Sequence, residues 1–325
     1  MQTLLQQTQA YRLIKTEAEE NRLSHAYLLL FNDARNLRFA LKSFAKIIFS
    51  CDTGGSQEQK RRARLIDSES FSDCLCFPAA DKKLTVEDAE KIKEESLLHP
   101  VESEKKVFLI ADFSEANTQT QNKLLKLLEE PPKGVVFLLG ASSVFPVLQT
   151  VLSRTKRLEI LPFSSEQVAE CLSRHYAEKY DSQTLALCAA CADGIVGKAQ
   201  DMLEDGYYKT LLSQAFDLAL TPLFKLPVFI KTVGETKYKR EFLSLLRLIF
   251  RDALFIKTQG KNAENYLLLR AEKQRLAQLS KEYSVSALLY AQEGISQAEK
   301  QVNFNAVFPQ CIELLIANIR EKNTK

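Results

Sequence analysis

The 325-residue chain lacks an excess of charge of either sign, an apolar run long enough to cross a membrane, and an orderly set of cysteines. Forty-four Lys plus Arg stand against 41 Asp plus Glu, a net charge of +3, so no bulk basic character points to nucleic acid and any such contact must be local. The opening residues MQTLLQQTQAYRLIKTEAEE lack the basic-then-apolar pattern of a secretory signal. A cytoplasmic location is the expectation. Seven cysteines, an odd number at irregular positions, fit a reducing compartment better than a disulfide framework. Repeats and low-complexity segments are also missing. With 46% hydrophobic and 26% charged residues, the chain has the balance of a globular protein of two or three domains.

A further absence is local. Residues 26–42, AYLLLFNDARNLRFALK, pass from an apolar run through a polar turn into Phe39, Leu41 and Phe44 at helical spacing, the frame of a phosphate-binding loop. Such loops use glycines to bring backbone N–H groups around phosphates, a Lys for the β- and γ-phosphates, and a Ser or Thr for magnesium. Residues 31–38, FNDARNLR, contain neither glycine nor lysine.

What is present alternates between two periods. β-rich runs at Ala26–Phe31, Asp73–Phe77, Val107–Ala111, Val135–Ala141 and Arg157–Leu161 are separated by helical segments. Thr85-Val86-Glu87-Asp88 carries a capping-box pattern ahead of Ala89, Ile92 and Leu97, and NTQTQNKLLKLLEEPP runs from Asn117 as a cap to a stop at Pro131 and Pro132. Strands alternating with helices predict a mostly parallel sheet covered on both faces. From Pro162 the strand pattern ends, and SSEQVAECLSRHYAEKY, SQTLALCAACAD, GKAQDMLED, REFLSLLRLIFRDALFIK and FNAVFPQCIELLIANIREK read as amphipathic helices. The fold class is α/β followed by all-α, with boundaries near 162 and 212.

HAYLLL at 25–30, KVFLIADFSEANTQTQNKLLKLLEEPP at 106–132, VVFLLGASS at 135–143 and LSRT at 152–155 resemble, in order and spacing, the AAA+ subunits of the bacterial DNA polymerase III clamp loader. The likeness runs through residues 21–162, and GIVGKAQDML at 194–203 and VNFNAVFPQCIELLIANI at the end are compatible with the family's lid and collar. It implies an AAA+ type parallel-sheet domain over 1–162, a small helical lid over 163–212 and a helical collar bundle over 213–325. It implies as partners the gamma/tau ATPase subunits and a delta subunit, with sliding clamp and primer-template DNA met through the assembled complex, and no membrane.

Laid on the nucleotide-binding members, the loop has Leu37 and Arg38 where Lys and Thr are needed. The Asp-Glu pair that orders magnesium and activates water is Ala111 and Asp112, and the lid arginine that senses γ-phosphate lines up with Gly197. The resemblance therefore implies a member without its own ATPase and without a nucleotide cofactor. Arg154 is retained. Family members carry a Ser-Arg-Cys motif whose arginine enters a neighbour's site, where a finger is worth on the order of 10³ to 10⁵ in rate. Here Ser153 and Arg154 are kept, and Thr155 replaces the cysteine. The other reading of Arg154 is a plain surface arginine.

Many members also carry a four-cysteine zinc module after the first helix. Only Cys51 falls in that interval before Cys74, so no metal is expected. Cys74 and Cys76 on a strand, and Cys188 and Cys191 within an Ala-rich helix, read as buried thiols. His25, His99 and His175 show no ligand spacing, and His25 belongs to the start of the first strand. The basic runs Lys60 to Arg64 and Lys237, Lys239, Arg240 read as solvated loops. Phe242, Leu245, Leu246, Ile249, Phe250, Ala253 and Leu254 form a stripe wide enough for a bundle core, and part of it reads as an interface within a five-membered ring. Two classes stay open: a non-hydrolysing scaffold subunit that lends Arg154 in trans, and a stand-alone AAA+ ATPase or nucleic-acid remodelling protein with a diverged site.

Overall fold

Five apolar runs become strands: β1 (Ala26–Phe31), β2 (Cys74–Phe77), β3 (Lys106–Ile110), β4 (Val135–Ala141) and β5 (Lys156–Ile160). A computed structural model describes residues 1–50 and 56–324. They group into two units, Met1–Phe163 with Ile195–Gly197, and Ser164–Gly194 with Lys198 onward.

In the first unit the sheet order is β2-β3-β4-β1-β5, and each neighbouring pair is parallel. Because successive strand residues face opposite sides, one set of apolar residues cannot serve both layers. Leu28, Phe108, Phe137 and Leu139 pack with Ile92 of the helix Val86–Ser96 and Leu124 and Leu128 of the helix Thr118–Glu129. The Phe108 and Phe137 rings stack at 5.3 Å between centroids. On the opposite side of β4, Gly140 leaves room for the helix Ala34–Ser50: a Cβ there would meet Leu41 at 2.9 Å and Leu37 at 3.1 Å. Full burial of such leucines is worth roughly 1.5–3 kcal/mol each. Double coverage explains the near-continuous apolar strands, whereas the edge strand β5 alternates and buries only Leu158 and Ile160.

Both expected helix starts form as read. Thr85 accepts the Asp88 N–H at 3.2 Å while the Asp88 carboxylate accepts the Thr85 N–H at 2.9 Å, and Asn117 Oδ1 accepts the Thr120 N–H at 2.8 Å. The basic run corrects an expectation. Residues Lys60 to Arg64 lie in the helix Ser56–Asp67, not in a loop, because Glu58 and Glu102 neutralise Arg61 and the Glu58 carboxylate also takes Arg62.

The second unit is helical among its described residues. The expected boundary at 212 falls within the helix Tyr208–Leu220, so a division between lid and collar would lie in the turn before it. Lys239 and Arg240 open the helix Lys239–Gln259 and do not stand in a loop; they form its exposed first turn, ahead of the buried stripe that begins at Phe242. That stripe is core. Phe242, Leu245, Leu246, Ile249, Phe250 and Ala253 are fully buried within the chain itself, with Phe242 edge-on to Phe308 and Phe250 edge-on to Tyr283. Only Leu254 keeps partial exposure, so the stripe does not supply the expected interface.

Candidate functional site

The turn after β1 is built around a buried carboxylate. Asp33 is 1% exposed. It accepts the Asn36 N–H at 3.2 Å, as the cap of the helix Ala34–Ser50 would, and the Asn36 side-chain amide at 2.9 Å. Its Oδ2 also accepts the N–H of Gly197, in the first turn of the helix Val196–Glu204, at 2.8 Å. Two helix beginnings therefore aim their N–H groups at one anion. Helix N-termini of this kind are where phosphates are bound, and here the chain's own carboxylate takes the donors. A Cβ on Gly197 would lie 2.2 Å from Asp33 Oδ1, so the residue at this position has to be glycine while the carboxylate is there.

The two positions that would need Lys and Thr serve other ends. Leu37 is fully buried among the β-sheet side chains. Arg38 makes a two-pronged pair with Glu69, Nε to Oε1 at 2.7 Å and Nη2 to Oε2 at 2.5 Å, and donates from Nη1 to the Pro78 carbonyl at 2.8 Å. Arg38 holds the Glu69 carboxyl down to about 2, with Lys42 assisting. After β3, Ala111 is buried and Asp112 has φ +52. Burial raises the Asp112 carboxyl above its ordinary value, Glu115 adds to the rise and Arg38 opposes it. Loop, strand end and lid position thus lack the lysine, the paired carboxylates and the lid arginine, with Leu37, Ala111 and Gly197 in those places.

Arg154 sits in the turn between the short helix Gln149–Leu152 and β5. Its side chain is 33% exposed and ion-paired through Nη2 with Glu129, the last residue of the helix Thr118–Glu129. Nη1 donates to the Thr150 carbonyl at 2.8 Å and to Ser153 Oγ at 3.2 Å, while Nε is buried with no hydrogen-bond partner. Thr155, in the cysteine's place, donates to the Val151 carbonyl at 3.1 Å and closes the same turn. The turn is held from a second side, where Lys156 pairs with Glu17 and Glu17 accepts the Tyr27 hydroxyl at 2.5 Å. The arginine is therefore a pre-positioned, half-open cation and not a loose surface side chain.

The remaining candidates are structural. His25 Nε2 donates to the Leu128 carbonyl at 3.0 Å, tying the start of β1 to the helix Thr118–Glu129. Burial pushes the Cys76 thiol up to about 11 and the Cys188 thiol up to about 12, and Cys74 and Cys191 are buried thiols beside them. No cluster of His, Cys, Asp and Glu among the described residues is arranged to hold a metal. Cys51 lies outside the described residues. Three residues the sequence did not reveal are Asp33, Glu69 and Glu129. Glu129 stands in the motif NKLLKLLEEPP, but Asp33 and Gly197 are 164 positions apart and only the fold joins them.

A family model described as DNA polymerase III, delta subunit, matches residues 6–164. Over 324 residues, 97% of this chain and 96% of the relative, the sequence is 24% identical to the DNA polymerase III subunit delta' of Bacillus subtilis. Over 192 residues, 56% of this chain and 29% of the relative, it is 28% identical to the DNA polymerase III subunit tau of Escherichia coli. Among solved structures, a DNA polymerase III gamma subunit-related protein of Thermotoga maritima covers 97% of this chain and 99% of its own at 16% identity, with a TM-score of 0.43. The motifs from β1 to the Arg154 turn, the sheet order and the full-length match to a delta' subunit place the chain in the clamp-loader AAA+ family, among the delta' subunits of DNA polymerase III.

Proposed function

We propose that this clamp-loader subunit hydrolyses no ATP of its own, completes the loader ring as a scaffold, and lends Arg154 to the nucleotide site of a neighbouring ATPase subunit. The observation that carries this reading is the Asp33 carboxylate, seated on the N–H groups of Asn36 and Gly197 that a phosphate would otherwise take. A subunit whose own anion position is filled from within retains one use for the chemistry of the fold, which is to act on a nucleotide held elsewhere. The alternative of a stand-alone ATPase finds buried Leu37 where the loop lysine is needed and Arg38 committed to Glu69 and the Pro78 carbonyl.

In this reading the partners are gamma/tau ATPase subunits and a delta subunit, with the sliding clamp and primer-template DNA met through the assembled loader in the cytoplasm. The segment after Phe163 serves as lid up to the turn before Tyr208 and as collar beyond it. Arg154 acts by charge. As the bond to the γ-phosphorus breaks, negative charge grows on the phosphoryl oxygens, and a fixed guanidinium stabilises it better than mobile water does.

The test is a reconstituted loader carrying Arg154→Ala. Ring assembly is expected to be unchanged and DNA-stimulated hydrolysis to fall, with Arg154→Lys restoring it incompletely because an ammonium lacks the planar fork. Normal hydrolysis in an intact ring would return Arg154 to a surface role.

A further inference from the structure

We infer that Glu129 is a positioning residue for Arg154, a resident counter-ion that holds the guanidinium in place in the free subunit and gives way to a neighbour's phosphate in the ring. This inference rests on the reading of Arg154 as a finger in trans.

The placement of Glu129 needs a reason. It ends the helix Thr118–Glu129 and is followed by Glu130 as the cap, so two carboxylates stand at the negative end of a helix dipole. Acids there are unfavourable for the helix, and a basic residue is what the position would ordinarily take. Arg154 offsets the cost by pairing with Glu129 through Nη2. The other contacts of the guanidinium are of a different kind. Nη1 is held by the Thr150 carbonyl and Ser153 Oγ, both within the four residues before it, and Nε is buried. One end of the fork is thus anchored locally, and the end that faces Glu129 is the end that can change partner. With side chains 33% and 43% exposed, the pair is half solvated. A pair in that condition contributes little to stability and exchanges readily for a doubly charged phosphate.

Removing the carboxylate charge has two effects of the same sign. Arg154 no longer has to leave a partner, and the incoming polyphosphate no longer meets a neighbouring anion. In the assembled loader, Glu129→Gln is therefore expected to tighten binding of the magnesium complex of the β,γ-imido analogue of ATP by about three- to fivefold, the range for a half-exposed ion pair. The KM for ATP should fall in parallel, with kcat kept within about twofold. Glu129→Asp, one methylene shorter, should lie between wild type and Gln. The double variant Glu129→Gln with Arg154→Ala should bind the analogue no more tightly than Arg154→Ala alone, a coupling that a merely structural role for Glu129 would not produce.

The two readings fail separately. If Arg154→Ala slows hydrolysis but Glu129→Gln leaves analogue affinity unchanged or weaker, the counter-ion role is wrong and the finger stands. If Arg154→Ala leaves hydrolysis unchanged in an intact ring, the finger is wrong and the role of Glu129 falls with it.

Discussion

Asp33 Oδ1 lies 2.2 Å from where a Cβ on Gly197 would be, and Asp33 Oδ2 accepts the Gly197 N–H at 2.8 Å. The carboxylate and the missing side chain are one feature, since neither can be changed alone without the other losing its place.

Gly197→Ala is accordingly expected to destabilise. In an ordinary helix interior the change gains about 1 kcal/mol from backbone entropy. Here the new methyl must displace a buried carboxylate, and overpacking of this kind costs about 1–3 kcal/mol. The second term wins, so the urea midpoint should fall. Asp33→Ala combined with Gly197→Ala should recover part of the loss, and a double-mutant cycle would measure the coupling.

Restoring the textual motif should not restore binding. Leu37→Lys with Arg38→Thr returns the two residue types of a working loop, but Leu37 is fully buried and Arg38 is committed to Glu69 and Pro78. A lysine in that position is an uncompensated buried charge, costing on the order of 3 kcal/mol. The variant is expected to unfold at lower urea and to give no heat on calorimetric titration with magnesium ATP. The wild-type chain should give none either. Micromolar binding by either protein would mean that the Asp33 site opens.

Acid stability should depend on Glu69. Its carboxyl is lowered from an ordinary 4.5 to about 2, chiefly by its hydrogen bonds from Arg38. A depressed carboxyl stabilises the fold above its unfolded value, and the contribution is lost as pH falls through the folded one. The window is therefore from about 4.5 down to about 2. The side chain is 30% exposed, so solvent screening limits the effect to about 1–2 kcal/mol. Glu69→Gln should be less stable than wild type at neutral pH and should lose less further stability across that window.

The sequence made much of the first unit legible. The five expected strands lie within one residue of the observed ones, because a sheet covered on both faces writes itself as apolar runs bounded by polar turns. The caps at Thr85 and Asn117 were legible because a cap and its partner lie three residues apart. The helix Ser56–Asp67 was not. Its surface is held by ion pairs from Glu58 and Glu102, so it lacks the apolar period that identifies a helix. The stripe from Phe242 to Leu254 was visible, but whether it faces the chain's own helices or another subunit is a matter of packing that periodicity does not encode. At the candidate site the missing Lys and Thr could be read directly, whereas Asp33 taking the N–H groups of Asn36 and Gly197 could not.

Thiol reactivity offers a separate check. Burial raises the Cys76 thiol to about 11 and the Cys188 thiol to about 12, so little thiolate is present near pH 8. Cys74, Cys171, Cys191 and Cys311 are buried as well. In the native chain these six should react slowly with a chromogenic disulfide reagent, and all seven cysteines should react promptly in guanidinium. Rapid native reaction of Cys188 or Cys191 would contradict the burial of that helix.

The last turn of the helix Thr118–Glu129 serves two neighbours through adjacent residues, with the Leu128 carbonyl accepting from His25 and the Glu129 carboxylate pairing with Arg154. An α-helix turns about 100° per residue. Inserting or deleting a single residue between Asn117 and Leu128 would swing both groups away together, releasing the start of β1 and the Arg154 turn at once. The number of residues in that helix is therefore as constrained as their identity, and it works as a ruler spanning two sites that are 129 positions apart in the chain.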